Sequence, residues 1–131
     1  MASIDEEPTP NGELVLQTLA LPRDTNSNGD IFGGWLMSQM DLGGAIAARE
    51  VAQGRVTTVA VGSMAFLRPV PVGSTVTCYA EIIDVGRASV KALVEVWVKQ
   101  YTRKLQKVTE GEFVYVAIDD TGRTRPIPKH D

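Results

Sequence analysis

One cysteine and one histidine stand among the 131 residues, and that scarcity removes whole classes of chemistry. A lone Cys78 excludes an intrachain disulfide framework and a cysteine metal cluster. With His130 as the only imidazole, zinc sites of the usual His/Cys kind run out of ligands. A Ser-His-Asp or Cys-His arrangement would have to recruit that same residue from the tail, where it reads as solvated. No apolar run approaches the ~20 residues that span a bilayer. The start, MASIDEEPTP, is acidic where a secretory signal is basic and then hydrophobic, so a cytoplasmic protein with no membrane span is expected. Thirteen basic residues against 16 acidic ones give a net charge of −3, which does not favour nucleic acid as a partner through bulk charge. There is no internal repeat.

The length is that of one domain, enough to bury a real core. Residues 1–12 read as a flexible acidic N-terminus. The folded domain spans 13–122, and 123–131, with two prolines, is an extended C-terminal tail. Alternation predicts a first strand over 13–21, with Leu14 and Leu16 on one side and Val15 and Gln17 on the other, ended by Pro22. A turn-rich approach through Asn26, Asn28, Gly29 and Asp30 then leads to a helix opened by Gly33 and Gly34 and running to about Gln53. Trp35, Leu36, Met37, Met40, Leu42, Ala45, Ile46, Ala47 and Ala48 cover nearly every angle of it, the pattern of a buried helix. Small Gly43, Gly44, Ala47 and Ala48 admit another backbone closely.

Strands are predicted over 56–67, covered on both faces, over 75–85 with Cys78 in the core, over 89–100, and over 108–118. In the third of these, Val90, Ala92, Val94, Val96 and Val98 face in, and Ser89, Lys91, Glu95 and Lys99 face out. A basic connector at 101–107 and a DDTG turn at 119–122 complete the order. One long helix and hairpin-short later connections define an α+β hotdog fold, an antiparallel sheet wrapped around one central helix. Open sheet edges on so small a chain call for a second copy.

Asp41 is the sole charge among the helix's apolar residues. Burial of a carboxylate demands either a hydrogen-bond network or a chemical task, and sequence leaves both open. The glycine pair leaves the first helical N–H groups uncovered, free to meet a ligand's oxygen, or serves only tight packing. It is not a phosphate loop, because no Lys-Ser or Lys-Thr follows.

The run DTNSNGDIFGGWLMSQMD at 24–41 closely resembles the helix signature of hotdog acyl-CoA thioesterases, in particular the single-domain bacterial YciA type. The likeness continues through RVTTVAV, MAFLRPVPVG, VGRAS, VEVWVK and FVYVAID. The resemblance implies hydrolysis of an acyl-CoA thioester to a free acid and coenzyme A without a metal or other cofactor. Asp41 then acts as general base or nucleophile, the Gly33 N–H, with Gly34, holds the thioester oxygen, and Asn26 orients the carbonyl or the attacking water. For the phosphates of coenzyme A the resemblance favours Arg87, Ala88 and Ser89. Arg68 is a further candidate, and each such cation is alternatively just solvated. Thr58 either faces the pocket near Asp41 or is a plain strand threonine. Gly33 and Asp41 lie eight residues apart, ~12 Å along one helix, too far to meet at one thioester carbon. The site must therefore join two chains, with a homodimer as the catalytic unit; the resemblance adds a homohexamer, a trimer of dimers, and broad acyl tolerance. Two rivals remain. A hotdog hydratase generally relies on a site histidine, and a non-catalytic acyl-CoA binding or sensing module would bind without releasing thiol.

Overall fold

The computed structural model describes residues 8–129. The acidic first seven residues and the solvated histidine expected at 130 lie outside the described residues. Five strands and one long helix follow in the order anticipated: β1 (Glu13–Leu19), a single 3-10 turn at Pro22–Asp24, α1 (Gly33–Ala52), β2 (Val56–Val61), β3 (Thr75–Val85), β4 (Ser89–Lys99) and β5 (Gln106–Ala117). The strands form one antiparallel sheet in the order β1-β3-β4-β5-β2. Helix α1 touches all five of them, which is the hotdog arrangement.

The sheet's inner face carries the core. Val76, Cys78 and Ala80 of β3, Val90, Ala92, Val94, Val96 and Val98 of β4, and Phe113, Tyr115 and Ala117 of β5 are buried against Leu36, Met40, Ala48 and Ala52 of the helix. Two helical glycines let the sheet approach. A Cβ at Gly43 would lie 2.9 Å from Val15 Cγ2, and one at Gly44 only 2.3 Å from the Tyr115 hydroxyl. The helix ends where Gln53 turns left-handed at φ 53°, its N–H donating to the Arg49 carbonyl.

Four expectations need correction. The helix is not buried all round: Leu42 is 54% exposed and Ile46 38%, so one stripe of α1 faces away from its own sheet. The strand expected over 56–67 stops at Val61 and is an edge strand, most of it exposed. Both departures have one physical reason. An exposed apolar face has the same residue composition as an interior, and hydrophobic periodicity does not distinguish the two. In β1 a bulge between Leu14 and Leu16 breaks the alternation. Val15 and Leu16 therefore both turn toward the core while Leu14 is exposed, because the extra residue offsets the period-2 pattern.

The fourth correction is Glu95, predicted to face solvent and found 1% exposed. Its carboxylate accepts hydrogen bonds from Trp97 Nε1 at 2.8 Å and Asn11 Nδ2 at 3.0 Å, and Lys107 Nζ lies 4.0 Å away. These partners on the sheet's outer face cover a charge that alternation assigns to water. Glu95→Ala leaves the Trp97 N–H buried without an acceptor, a loss of about 2–4 kcal/mol. A lowered melting temperature is expected, with Glu95→Gln falling between the variant and wild type; calorimetry of the three proteins checks it.

The C-terminal residues pack rather than trail. Ile127 joins the core, its N–H donating to the Arg87 carbonyl, and Arg125 Nη1 donates to the carbonyl of Ala52 at the helix end. Among the described residues no helix is long and apolar enough to cross a membrane.

Candidate active site

The start of α1 is assembled by its approach loop. Asn26 Oδ1 accepts the backbone N–H groups of Asn28 (2.9 Å) and Asp30 (3.2 Å), and the Asn26 N–H donates to the Asp30 carbonyl. This Asx turn consumes the oxygen of the side chain and leaves its NH2 as the end available to a ligand. The residue preceding the helix is Phe32, extended at φ −60°, ψ 136°, with no side-chain cap. The first intrahelical bond runs from the Leu36 N–H to the Phe32 carbonyl. The N–H groups of Gly33, Gly34 and Trp35 precede it and have no carbonyl in the helix to bond. A Ser, Thr, Asp or Asn in place of Phe32 would have satisfied one of them. Asn26, Gly33, Phe66 and Arg68 line one cleft of about 380 Å³, which places Arg68, considered from sequence only as a phosphate cation, beside Asn26 and the helix start. Nothing stands within 4 Å of where a Gly34 Cβ would be.

Asp41 occupies a different place. It is half-buried, two turns along the helix, and its Oδ1 accepts the hydroxyl of Thr58 on β2 at 2.6 Å. Thr58 is therefore a partner of the carboxylate and not merely a strand residue. Tyr115, opposite Thr58 in the β2–β5 register, sends its hydroxyl to the backbone carbonyl of Asp41 at 2.8 Å. Burial first, then the negative charge of Asp41 and a hydrogen bond to it, raise the Tyr115 pKa. The phenol stays a donor. Sequence reading missed both Tyr115 and the specific need for Gly44; the one available signal was a glycine in mid-helix, where it costs ~1 kcal/mol relative to alanine.

Arg87, Ala88 and Ser89 form the β3–β4 turn, closed by the Gly86 N–H bonding the Ser89 carbonyl at 2.8 Å. Arg87 lines a wide cleft of about 960 Å³ together with Val85, Pro126 and Lys129. Within one chain this turn is not part of the cleft at Asn26 and Gly33. Arg68 also borders a second, smaller cleft with Arg103 and Lys104. Cys78 is fully buried, and burial pushes its thiol up to about 12; it is no nucleophile near neutrality. Among the described residues no three His, Cys, Asp or Glu side chains are grouped to hold a metal ion.

A helix start with free donors, an amide beside it and a hydroxyl-held carboxylate on the same helix suit acyl transfer at a carbonyl. Residues 28–103 match the Thioesterase superfamily, and this chain belongs to that family. The acyl-CoA thioester hydrolase YciA of Salmonella typhimurium is 58% identical over 124 residues, covering 92% of this chain and 93% of the relative. Among solved structures, a hexameric thioesterase from Yersinia pestis superposes with a TM-score of 0.90 at 59% identity, covering 93% of this chain and all of that one. A hexameric broad specificity acyl-coenzyme A thioesterase gives 0.89 at 53% identity, covering 95% of this chain and 86% of the other.

Proposed function

We propose that this chain hydrolyses acyl-CoA thioesters to the free carboxylic acid and coenzyme A, at sites that each draw on two copies of the chain. The observation that carries the reading is the division of labour along α1. The free N–H donors are at its start, while the Thr58-held carboxylate of Asp41 is ~12 Å further along, on the flank where Leu42, Ile46 and β2 are exposed. An antiparallel neighbour docking on that flank brings the start of its own helix to Asp41. Two equivalent sites result per dimer. Because solved relatives are hexamers, we extend the assembly to a trimer of dimers.

At such a site the thioester oxygen sits against the Gly33 N–H, with Gly34 beside it and the Asn26 NH2 orienting it or the water. Attack at the carbonyl carbon turns that oxygen into an oxyanion, and preorganised donors stabilise the charge as it grows. As general base, Asp41 takes a proton from the attacking water; the tetrahedral intermediate then collapses, the C–S bond breaks, and the proton passes to the departing thiolate. As nucleophile, it attacks directly, expels the thiolate and forms a mixed anhydride that water cleaves. Thr58, donating to Oδ1, leaves Oδ2 for either task. Neither route routes electrons or protons through a cofactor. Arg87 and Lys129, with Arg68, supply cations for the phosphates of coenzyme A. We assign this chemistry to the cytoplasm, where a free thiol such as Cys78 is ordinary.

The test is thiol release from a series of acyl-CoA esters, acetyl to palmitoyl, under steady-state conditions. Turnover is expected; tight binding with no thiol freed would reduce the protein to a binding module. Shared sites are tested by exchanging subunits of an Asp41→Asn protein with those of an Asn26→Ala protein. Mixed dimers should recover one working site, and no recovery after demonstrated exchange counts against sharing.

A further inference from the structure

We infer that Tyr115 is a positioning residue for hydrolysis: its hydroxyl grips the helix at the Asp41 carbonyl and so fixes where the Asp41 carboxylate stands, and Gly44 is glycine to admit that hydroxyl. The inference rests on the role proposed above for Asp41.

Thr58 and Tyr115 are opposite one another on adjacent antiparallel strands, so their side chains leave the same face of the sheet. Both end on one helical residue. Thr58 donates to the carboxylate at 2.6 Å and Tyr115 to the backbone carbonyl at 2.8 Å. The pair thus holds Asp41 at two points, one fixing the side chain and one fixing the turn of helix that carries it.

A buried phenol needs some acceptor, and a purely structural account would end there. Two features go further. The Asp41 carbonyl lies in mid-helix and already receives an intrahelical N–H, so it does not need the phenol. The cost of the contact also falls on the helix: a Cβ at Gly44 would stand 2.3 Å from the hydroxyl, the severest of its clashes, with Tyr115 Cζ and Val94 Cγ2 each at 3.1 Å. Phenylalanine at 115 and alanine at 44 would fill a similar volume with better helix propensity and no polar atom to satisfy. The ring is itself held, stacked on Phe113 with centroids 6.5 Å apart, so the hydroxyl is a fixed post. Misplacing a catalytic group by about 1 Å costs up to ~100-fold in rate.

The experiment measures kcat and KM for Tyr115→Phe, Asp41→Asn and the double variant, with Gly44→Ala made alone and together with Tyr115→Phe. Tyr115→Phe should lower kcat roughly tenfold or more with KM nearly unchanged. Added to Asp41→Asn it should cost nothing further, since no carboxylate remains to be placed. Gly44→Ala should lower both kcat and melting temperature; removing the hydroxyl as well should recover part of the melting temperature, the 3.1 Å contact with Val94 remaining, and leave kcat low. Wild-type kcat in Tyr115→Phe, with Asp41→Asn inactive, overturns the inference and leaves the Asp41 role intact. Near-normal turnover in Asp41→Asn overturns that role and the inference with it. Losses that multiply in the Tyr115/Asp41 double variant, or kcat restored by Tyr115→Phe in the Gly44→Ala background, assign the tyrosine to packing alone. If Tyr115→Phe does not fold, full kcat in Gly44→Ala is the overturning result, and low kcat there the supporting one.

Discussion

Asp41→Asn is expected to reduce acyl-CoA turnover by on the order of a thousandfold while leaving fold and assembly unchanged. Asparagine has nearly the shape of aspartate, and its amide oxygen can still accept the Thr58 hydroxyl that now reaches Oδ1 at 2.6 Å. The Tyr115 hydroxyl keeps its bond to the backbone carbonyl when the side chain changes. What disappears is the capacity to take a proton from water or to attack carbon, and no neighbour replaces it. Cys78 is no substitute: it is buried, with its thiol held up at about 12. Circular dichroism and sizing of the variant, beside its kcat, separate chemistry from folding. A variant that turns over within a few-fold of wild type would remove Asp41 from the mechanism. Oxygen-18 in the Asp41 carboxylate after a single turnover in labelled water would establish the nucleophilic route, with the anhydride opened at its aspartyl carbonyl.

Gly33→Pro is expected to cost about a hundredfold in kcat, because it deletes one backbone donor to the oxyanion and little else. Gly33 is the first helical residue, the position where proline is best tolerated, as its missing N–H has no intrahelical acceptor to lose. Phe32 before it is already extended at φ −60°, ψ 136°, the region a residue preceding proline prefers. Gly33→Ala is the matched control. Its Cβ meets the Phe66 ring at 3.4 Å, an ordinary contact, and its N–H remains, so kcat should stay within a few-fold of wild type. Equal losses in both variants would mean that the cleft is crowded by any side chain and that the amide is not the group at work.

How far the sequence foretold this molecule depended on what each residue's partner was. The bounds of α1 were legible because glycines and a polar approach loop mark its start, and Cys78 was legible as core because β3 alternates. Asp41, Asn26 and Gly33 were singled out through a motif, and the separation of Gly33 from Asp41 followed from helical rise. Glu95 was misread because alternation sends charges to water; only the side-chain contacts show Trp97, two residues along the same strand, and Asn11, ahead of β1, closing over it. Tyr115 was invisible as a positioning group because its partner is a backbone carbonyl, which leaves no mark on residue choice except the glycine it requires at 44. The apolar stripe at Leu42 and Ile46 and the exposed β2 were read as interior because an exposed apolar face carries an interior's composition.

Cells carrying one sound and one Asp41-defective allele lose turnover in proportion to the defective chains and no further. Under the shared-site reading, the eight residues between Gly33 and Asp41 hand each intact aspartate to a neighbour's amide, and a chain damaged at 41 still offers its own. Such a lesion acts by dosage alone: it cannot poison the subunits with which it assembles.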